Sequence, residues 1–301
     1  MSCTTSPSHN PSTDPPVTSG VSRRTVLRAT ALAGAAIGAT SAAAGAATAA
    51  PTDSRRRGTG GASKTPTVVL AHGAFAESSS WDTVVTLLKR HRLSVVSAAV
   101  PLRGVAYDAA YISDLVATVS GPVILGGHSY GGSVISNVDR GSADIRGLVY
   151  VAGFAPAAGE SAQALSSKFP GSTLAPTLTF VNLRTGGRDL YIEQAKYRAQ
   201  FCADLDDRQS AQMAAGQRPI LESALSEPAG PDPLWKGTPS WFIFGELDRN
   251  IPAAAHRYMA ERAHARQVVE VVGASHVVGI SHPYATAKMI LRAAHSIHRN
   301  G

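Results

Sequence analysis

The chain has 301 residues, 44% of them hydrophobic and 16% charged, against roughly 25% charged in an average globular domain. With Gly and Pro spread without a period and two cysteines in all, this composition excludes a disordered chain, a coiled coil, a collagenous fibre and a disulfide scaffold. The formal charge of +7 is local: residues 1–64 hold seven basic and two acidic residues and leave +2 for 65–301, so nothing favours a nucleic-acid partner.

In chain order, residues 1–22 are polar and rich in Ser, Thr and Pro. Ser22-Arg23-Arg24-Thr25-Val26-Leu27-Arg28 then resembles a bacterial twin-arginine export signal. Residues 29–50 carry no charge and consist mostly of Ala and Gly. At about 20 residues such a stretch is long enough to span a bilayer, but Ala and Gly supply little transfer energy. Ala47-Thr48-Ala49 reads as a small-x-small cleavage site. We therefore expect a twin-arginine-type signal peptide over 1–49, followed by a flexible linker over 50–64 around Arg55-Arg56-Arg57 and Gly58-Thr59-Gly60-Gly61. The expected location is secreted or extracytoplasmic, through the twin-arginine export machinery and without stable membrane insertion. Removal of the leader would take Cys3 away and leave Cys202 alone, as a buried packing residue.

The remainder, 65–301, alternates short apolar runs with helical patterns. Runs at 67–71, 93–98, 122–125, 145–151, 240–244 and 267–272 suit parallel strands buried on both faces. Helical candidates lie near 81–89, 107–119, 132–139, 253–262 and 285–298. Together they predict an α/β fold with a mostly parallel sheet of about six strands flanked by helices. The rhythm breaks between about 156 and 236, a segment with scattered aromatics (Phe169, Phe180, Tyr191, Tyr197, Phe201, Trp235). It is expected to form a mainly helical cap over the strand ends, where ligands bind in open α/β sheets.

The chemistry is most legible at Gly127-His128-Ser129-Tyr130-Gly131, a G-x-S-x-G sequence after a strand and before a helix. Its glycines permit a tight turn that lifts the Ser129 hydroxyl above the sheet. A serine nucleophile needs a base, and the base an orienting acid, in the chain order Ser, acid, His. Asp248 lies in the loop beyond the run 240–244, with Glu246 as a rival nearer the strand. His276 follows the last strand in Gly273-Ala274-Ser275-His276. His282 is the runner-up, and His256, His264, His295 and His298 read as helix surface. Backbone donors for an oxyanion are expected from Tyr130 and from the His72-Gly73 turn, with Ala74 the first choice there and Phe75 the next. Nothing shows metal-ligand spacing. His276 and His282 have no Cys or carboxylate partner at such spacing, and Asp204, Asp206 and Asp207 read as a solvated helix face. No metal and no cofactor are expected.

Across essentially all of 65–301 the chain resembles the α/β-hydrolase superfamily. Ala71-His72-Gly73-Ala74-Phe75 with Trp81, Gly126 to Gly132, and Gly273 to His276 further resemble bacterial relatives of the plant methylesterase and hydroxynitrile lyase branch. The resemblance implies Ser129, Asp248 and His276 as a triad and Ala74 as an oxyanion donor. The lyases of that branch place Lys after the catalytic His and Thr at the position of Gly73. Here Val277 and Gly73 stand instead, which favours hydrolysis. The expected activity is a serine esterase acting on small or medium apolar ester substrates through an acyl-enzyme. A perhydrolase or C–C lyase on the same triad, or a ligand sensor without turnover, are the alternatives.

Overall fold

In the computed structural model, residues 65–298 are described; the leader and linker read over 1–64 lie outside them. Six strands form one parallel sheet: β1 (Thr67–Ala71), β2 (Ser94–Ala98), β3 (Pro122–His128), β4 (Asp144–Val151), β8 (Ser240–Gly245) and β9 (Gln267–Val271), in the order β2-β1-β3-β4-β8-β9. All six were legible as continuous apolar runs because both faces of the sheet are covered. Val68, Leu70, Ile124, Val149 and Ile243 point into one core, while Val69, Ala71, Val123, Leu125 and Phe242 point into the other. Helices α1 (Asp82–Arg90) and α10 (Pro283–His298) cover the first face. Helices α2 (Val105–Ala117), α3 (Tyr130–Ser136) and α8 (Ala253–Arg262) cover the second.

The helix after β1 and the helix after β3 thus lie on opposite faces, although the two strands are neighbours in register, Ala71 beside Gly127. The chain turns away in two directions there and opens a crevice at the carboxyl ends of the strands. The 72–75 turn and Ser129 both stand at its edge.

Between β4 and β8 come α4 (Ala162–Ser167), β5 (Leu178–Asn182), β6 (Arg188–Ile192), α5 (Gln194–Phe201), α6 (Asp207–Ala215), β7 (Ile220–Leu221) and α7 (Glu222–Ser226). The expectation of a mainly helical cap needs an addition: β5, β6 and β7 form a small antiparallel sheet. Its hairpin turns at Gly186 and Gly187, with φ of 94° and 83°, and that Gly-Gly pair is its local mark in the sequence. The short helix α9 (Val278–Ser281) completes the described strands and α-helices, and three 3-10 turns lie at Ser78–Trp81, Ala175–Thr177 and Leu234–Lys236. No described helix is long and apolar enough to cross a membrane.

Candidate active site

Strand β3 ends at His128 and α3 begins at Tyr130, so Ser129 alone makes the turn, at φ 53° and ψ −123°. A non-glycine residue held there costs of order 1–3 kcal/mol. Three backbone hydrogen bonds offset the strain at about 1 kcal/mol each: Ser129 N–H to the Ala152 carbonyl (3.1 Å), and Gly132 and Phe154 N–H to the Ser129 carbonyl (2.9 and 3.1 Å). The turn is tight enough that a Cβ on Gly131 would stand 2.4 Å from the Ala71 carbonyl oxygen.

The loops after β8 and β9 bring the expected acid and base, Asp248 and His276, together. His276 Nδ1 donates to Asp248 Oδ2 at 2.7 Å, and both side chains are fully buried. Asp248 Oδ1 accepts from the N–H groups of Asn250 (2.8 Å) and Ile251 (3.0 Å), which aims the carboxylate. Burial alone would raise this carboxyl, but the imidazoles beside it hold it well below the usual carboxylate range. The second imidazole belongs to His256, whose Nε2 donates to the same Oδ2 at 3.2 Å. The reading of His256 as helix surface is therefore wrong. It is completely buried, stacked on Phe244 with centroids 4.7 Å apart, and burial lowers its pKa against the pull of Asp248.

His128, next to Ser129, packs against the His276 ring at 4.8 Å and donates from Nε2 to the His276 carbonyl at 3.2 Å. Burial, then the neighbouring His276, push His128 down to about 3, which keeps it neutral. His276 Nε2, the nitrogen not engaged by Asp248, is buried and has no hydrogen-bond partner among the described residues.

In the turn after β1, the Phe75 N–H is taken by the Arg218 carbonyl at 2.9 Å. The Ala74 and Tyr130 N–H groups have no partner among the described residues, and both residues line the same cleft as Ser129. Of the two donors considered in the 72–75 turn, only Ala74 keeps a free one. Glu246 is exposed and its Oε2 accepts from the Gly273 N–H at 3.0 Å, so it braces the base loop from outside. His282 lies 3.9 Å from Asp204, away from Asp248. Asp206 caps α6, accepting from the Gln209 N–H at 2.8 Å, and the Asp207 side chain is 91% exposed, as expected of a solvated face. Asp204 departs from that reading: its carboxylate accepts from the N–H (3.1 Å) and the hydroxyl of Ser275. Cys202 is buried and free.

The cleft over Ser129 has a volume of about 840 Å³, within the range of small-molecule sites. Phe75, Phe154, Phe169, Leu178, Leu190 and Ile251 give it apolar walls, and Ser166, Ser172, Ser223 and Ser226 a hydroxyl-bearing rim. Among the described residues that line it, the one charged side chain is that of Glu222, which is paired with Arg188 at 2.5 Å.

No curated protein matches the sequence. Among solved structures, the chain resembles a polyneuridine aldehyde esterase at 16% identity and TM-score 0.63, over 76% of this chain and 99% of that one. It resembles a pyrethroid hydrolase from Sphingobium faniae JZ-2 at 20% identity and TM-score 0.60, over 76% and 97%. A tomato methylketone synthase I complexed with 2-tridecanone is similar at 16% identity and TM-score 0.65, over 77% and 99%. At these identities the likeness is one of fold. The family model described as alpha/beta hydrolase family matches residues 68–289, a span that includes Ser129, Asp248 and His276. By that match, the chain belongs to the alpha/beta hydrolase family.

Proposed function

We propose that this protein is an exported serine hydrolase that cleaves carboxylic esters of small or medium apolar substrates. The observation that carries the reading is the buried 2.7 Å contact of His276 Nδ1 with Asp248, which leaves Nε2 unpartnered on the residue packed against the elbow of Ser129. His276 Nε2 takes the proton of the Ser129 hydroxyl as its oxygen attacks the ester carbonyl. The Ala74 and Tyr130 N–H groups receive the developing oxyanion. The imidazolium, paired with Asp248, passes the proton to the leaving alcohol. Water then attacks the acyl-enzyme by the same proton path and releases the acid.

Two side chains bear on the alternatives. A side chain at Gly73 would put its Cβ 2.6 Å from Ser129 Cβ, so the Thr of the lyases has no room. Val277, buried, offers no amine. The apolar walls support an uncharged ester, as do the neighbours named as an esterase and a pyrethroid hydrolase. The twin-arginine-like leader supports export.

The test is hydrolysis of p-nitrophenyl esters, acetate through octanoate, by the protein and by Ser129→Ala. Turnover by the wild type and a loss of at least about 10³-fold in the variant are expected. No turnover of any ester, or an equally active variant, overturns the reading.

A further inference from the structure

One face of the cap helix α5 and the turn after it reaches all three loops of the site. Tyr197, Gln200, Phe201 and Asp204 recur at helical spacing, and each meets a different part of the machinery. The Tyr197 hydroxyl donates to the Phe75 carbonyl at 2.7 Å, fixing the turn that presents Ala74. Gln200 is buried. Its Nε2 donates to the Arg249 carbonyl (3.0 Å) and to Asn250 Oδ1 (2.6 Å), both in the loop of Asp248. Its Oε1 is held in turn by the Thr173 hydroxyl at 2.8 Å. The Phe201 ring packs against His276 at 5.1 Å. Asp204 takes both the N–H and the hydroxyl of Ser275, the residue before His276.

We infer that Gln200 and Asp204 are positioning residues, which set the alignment of His276 with Asp248 and Ser129 from the cap. The two loops that carry acid and base leave different strands. They are tied directly by Glu246 N–H to the Val271 carbonyl (3.0 Å), Leu247 N–H to the Ala274 carbonyl (2.9 Å) and Gly273 N–H to Glu246 Oε2 (3.0 Å). Gln200, in α5, on one loop and Asp204, in the turn that follows α5, on the other add a further tie from the cap. Misplacement of reacting groups by about 1 Å costs on the order of 10²-fold in rate, so slackening a loop without breaking the triad reads out as slower chemistry with unchanged substrate binding.

The inference rests on the esterase reading, and the test separates the two. In the full-length protein, Gln200→Leu keeps the volume and removes the donors, while Ser275→Ala removes the hydroxyl that Asp204 holds. Each is expected to lower kcat about 10-fold with KM within twofold, and to slow phosphorylation of Ser129 by p-nitrophenyl diethyl phosphate by the same factor. Ser275→Thr, which keeps the hydroxyl, should restore the rate. Unchanged kcat and phosphorylation in both variants, or a rise in KM alone, overturns the inference. Should Gln200→Leu fail to fold, Ser275→Ala decides alone. A wild type that is phosphorylated but turns over no ester removes the esterase reading and leaves the phosphorylation comparison standing. A wild type inert to the phosphate removes the triad itself.

Discussion

If Asp248 is the acid of the proposed triad, Asp248→Asn should lower kcat by about 10⁴-fold, the scale of loss when the acid of a Ser-His-Asp triad becomes an amide. The local hydrogen bonds give the reason. The Asn250 and Ile251 N–H groups donate to Oδ1, so the amide of the variant must keep its oxygen there. Its NH2 group then takes the place of Oδ2 and faces His276 Nδ1, which is forced to accept. The His276 proton moves to Nε2, the nitrogen that must be empty to receive the proton of Ser129. His256, which donates to the same Oδ2 at 3.2 Å, is driven to the opposite tautomer as well. The fold should survive, because no cavity is opened and no charge is left unpaired. Steady-state kinetics beside a thermal melt check this. A variant retaining a tenth of the wild-type rate would show that Asp248 does not orient His276.

A second large effect is expected at Gly245, the last residue of β8. A Cβ there would lie 2.3 Å from the carbonyl oxygens of both Ala274 and Ser275. Both are backbone atoms of the loop that ends in His276, so no flexible side chain can swing aside. Overpacking a core costs typically 1–3 kcal/mol and sometimes more, and a clash with two carbonyls belongs at the upper end. Gly245→Ala should lose about 3 kcal/mol, or roughly 6–12 °C in Tm at this domain size, and most of the activity with it. Gly237→Ala is the control, since nothing lies within 4 Å of a Cβ at that position. A Gly245→Ala melt within about 2 °C of wild type would mean that the acid and base loops are further apart than described.

The sheet and the elbow were legible because their constraints are local. A strand buried on both faces must be apolar throughout, and a serine at φ 53° between a strand and a helix needs glycines around it. Asp248 and His276 followed from chain order once Ser129 was fixed. The sequence did not betray His256. It sits between Ala255 and Arg257, and what buries it is the Phe244 ring, on a strand that packs beneath α8. Gln200 and Asp204 were hidden for the same reason. Their partners, Asn250 and Ser275, lie 50 and 71 residues further along the chain, and polar residues on an isolated helix look solvated. The cap hairpin was the one element with a usable local mark, the Gly186-Gly187 pair. Its strand β5 is largely exposed and lacks the apolar run that revealed the others.

The lining of the cleft also bears on how a cycle ends. On the esterase reading, a neutral ester enters a space whose charged lining residue, Glu222, is negative and already engaged by Arg188. Deacylation creates a carboxylate in that space. An anion among phenylalanine and leucine side chains, with no cation on the described walls to meet it, is costly to keep out of water. Turnover thus converts a neutral ligand that the apolar walls accommodate into an anion that they disfavour. The free acid should accordingly inhibit weakly, with a Ki far above the KM of its ester, and product inhibition as tight as substrate binding would contradict the charge balance of the walls.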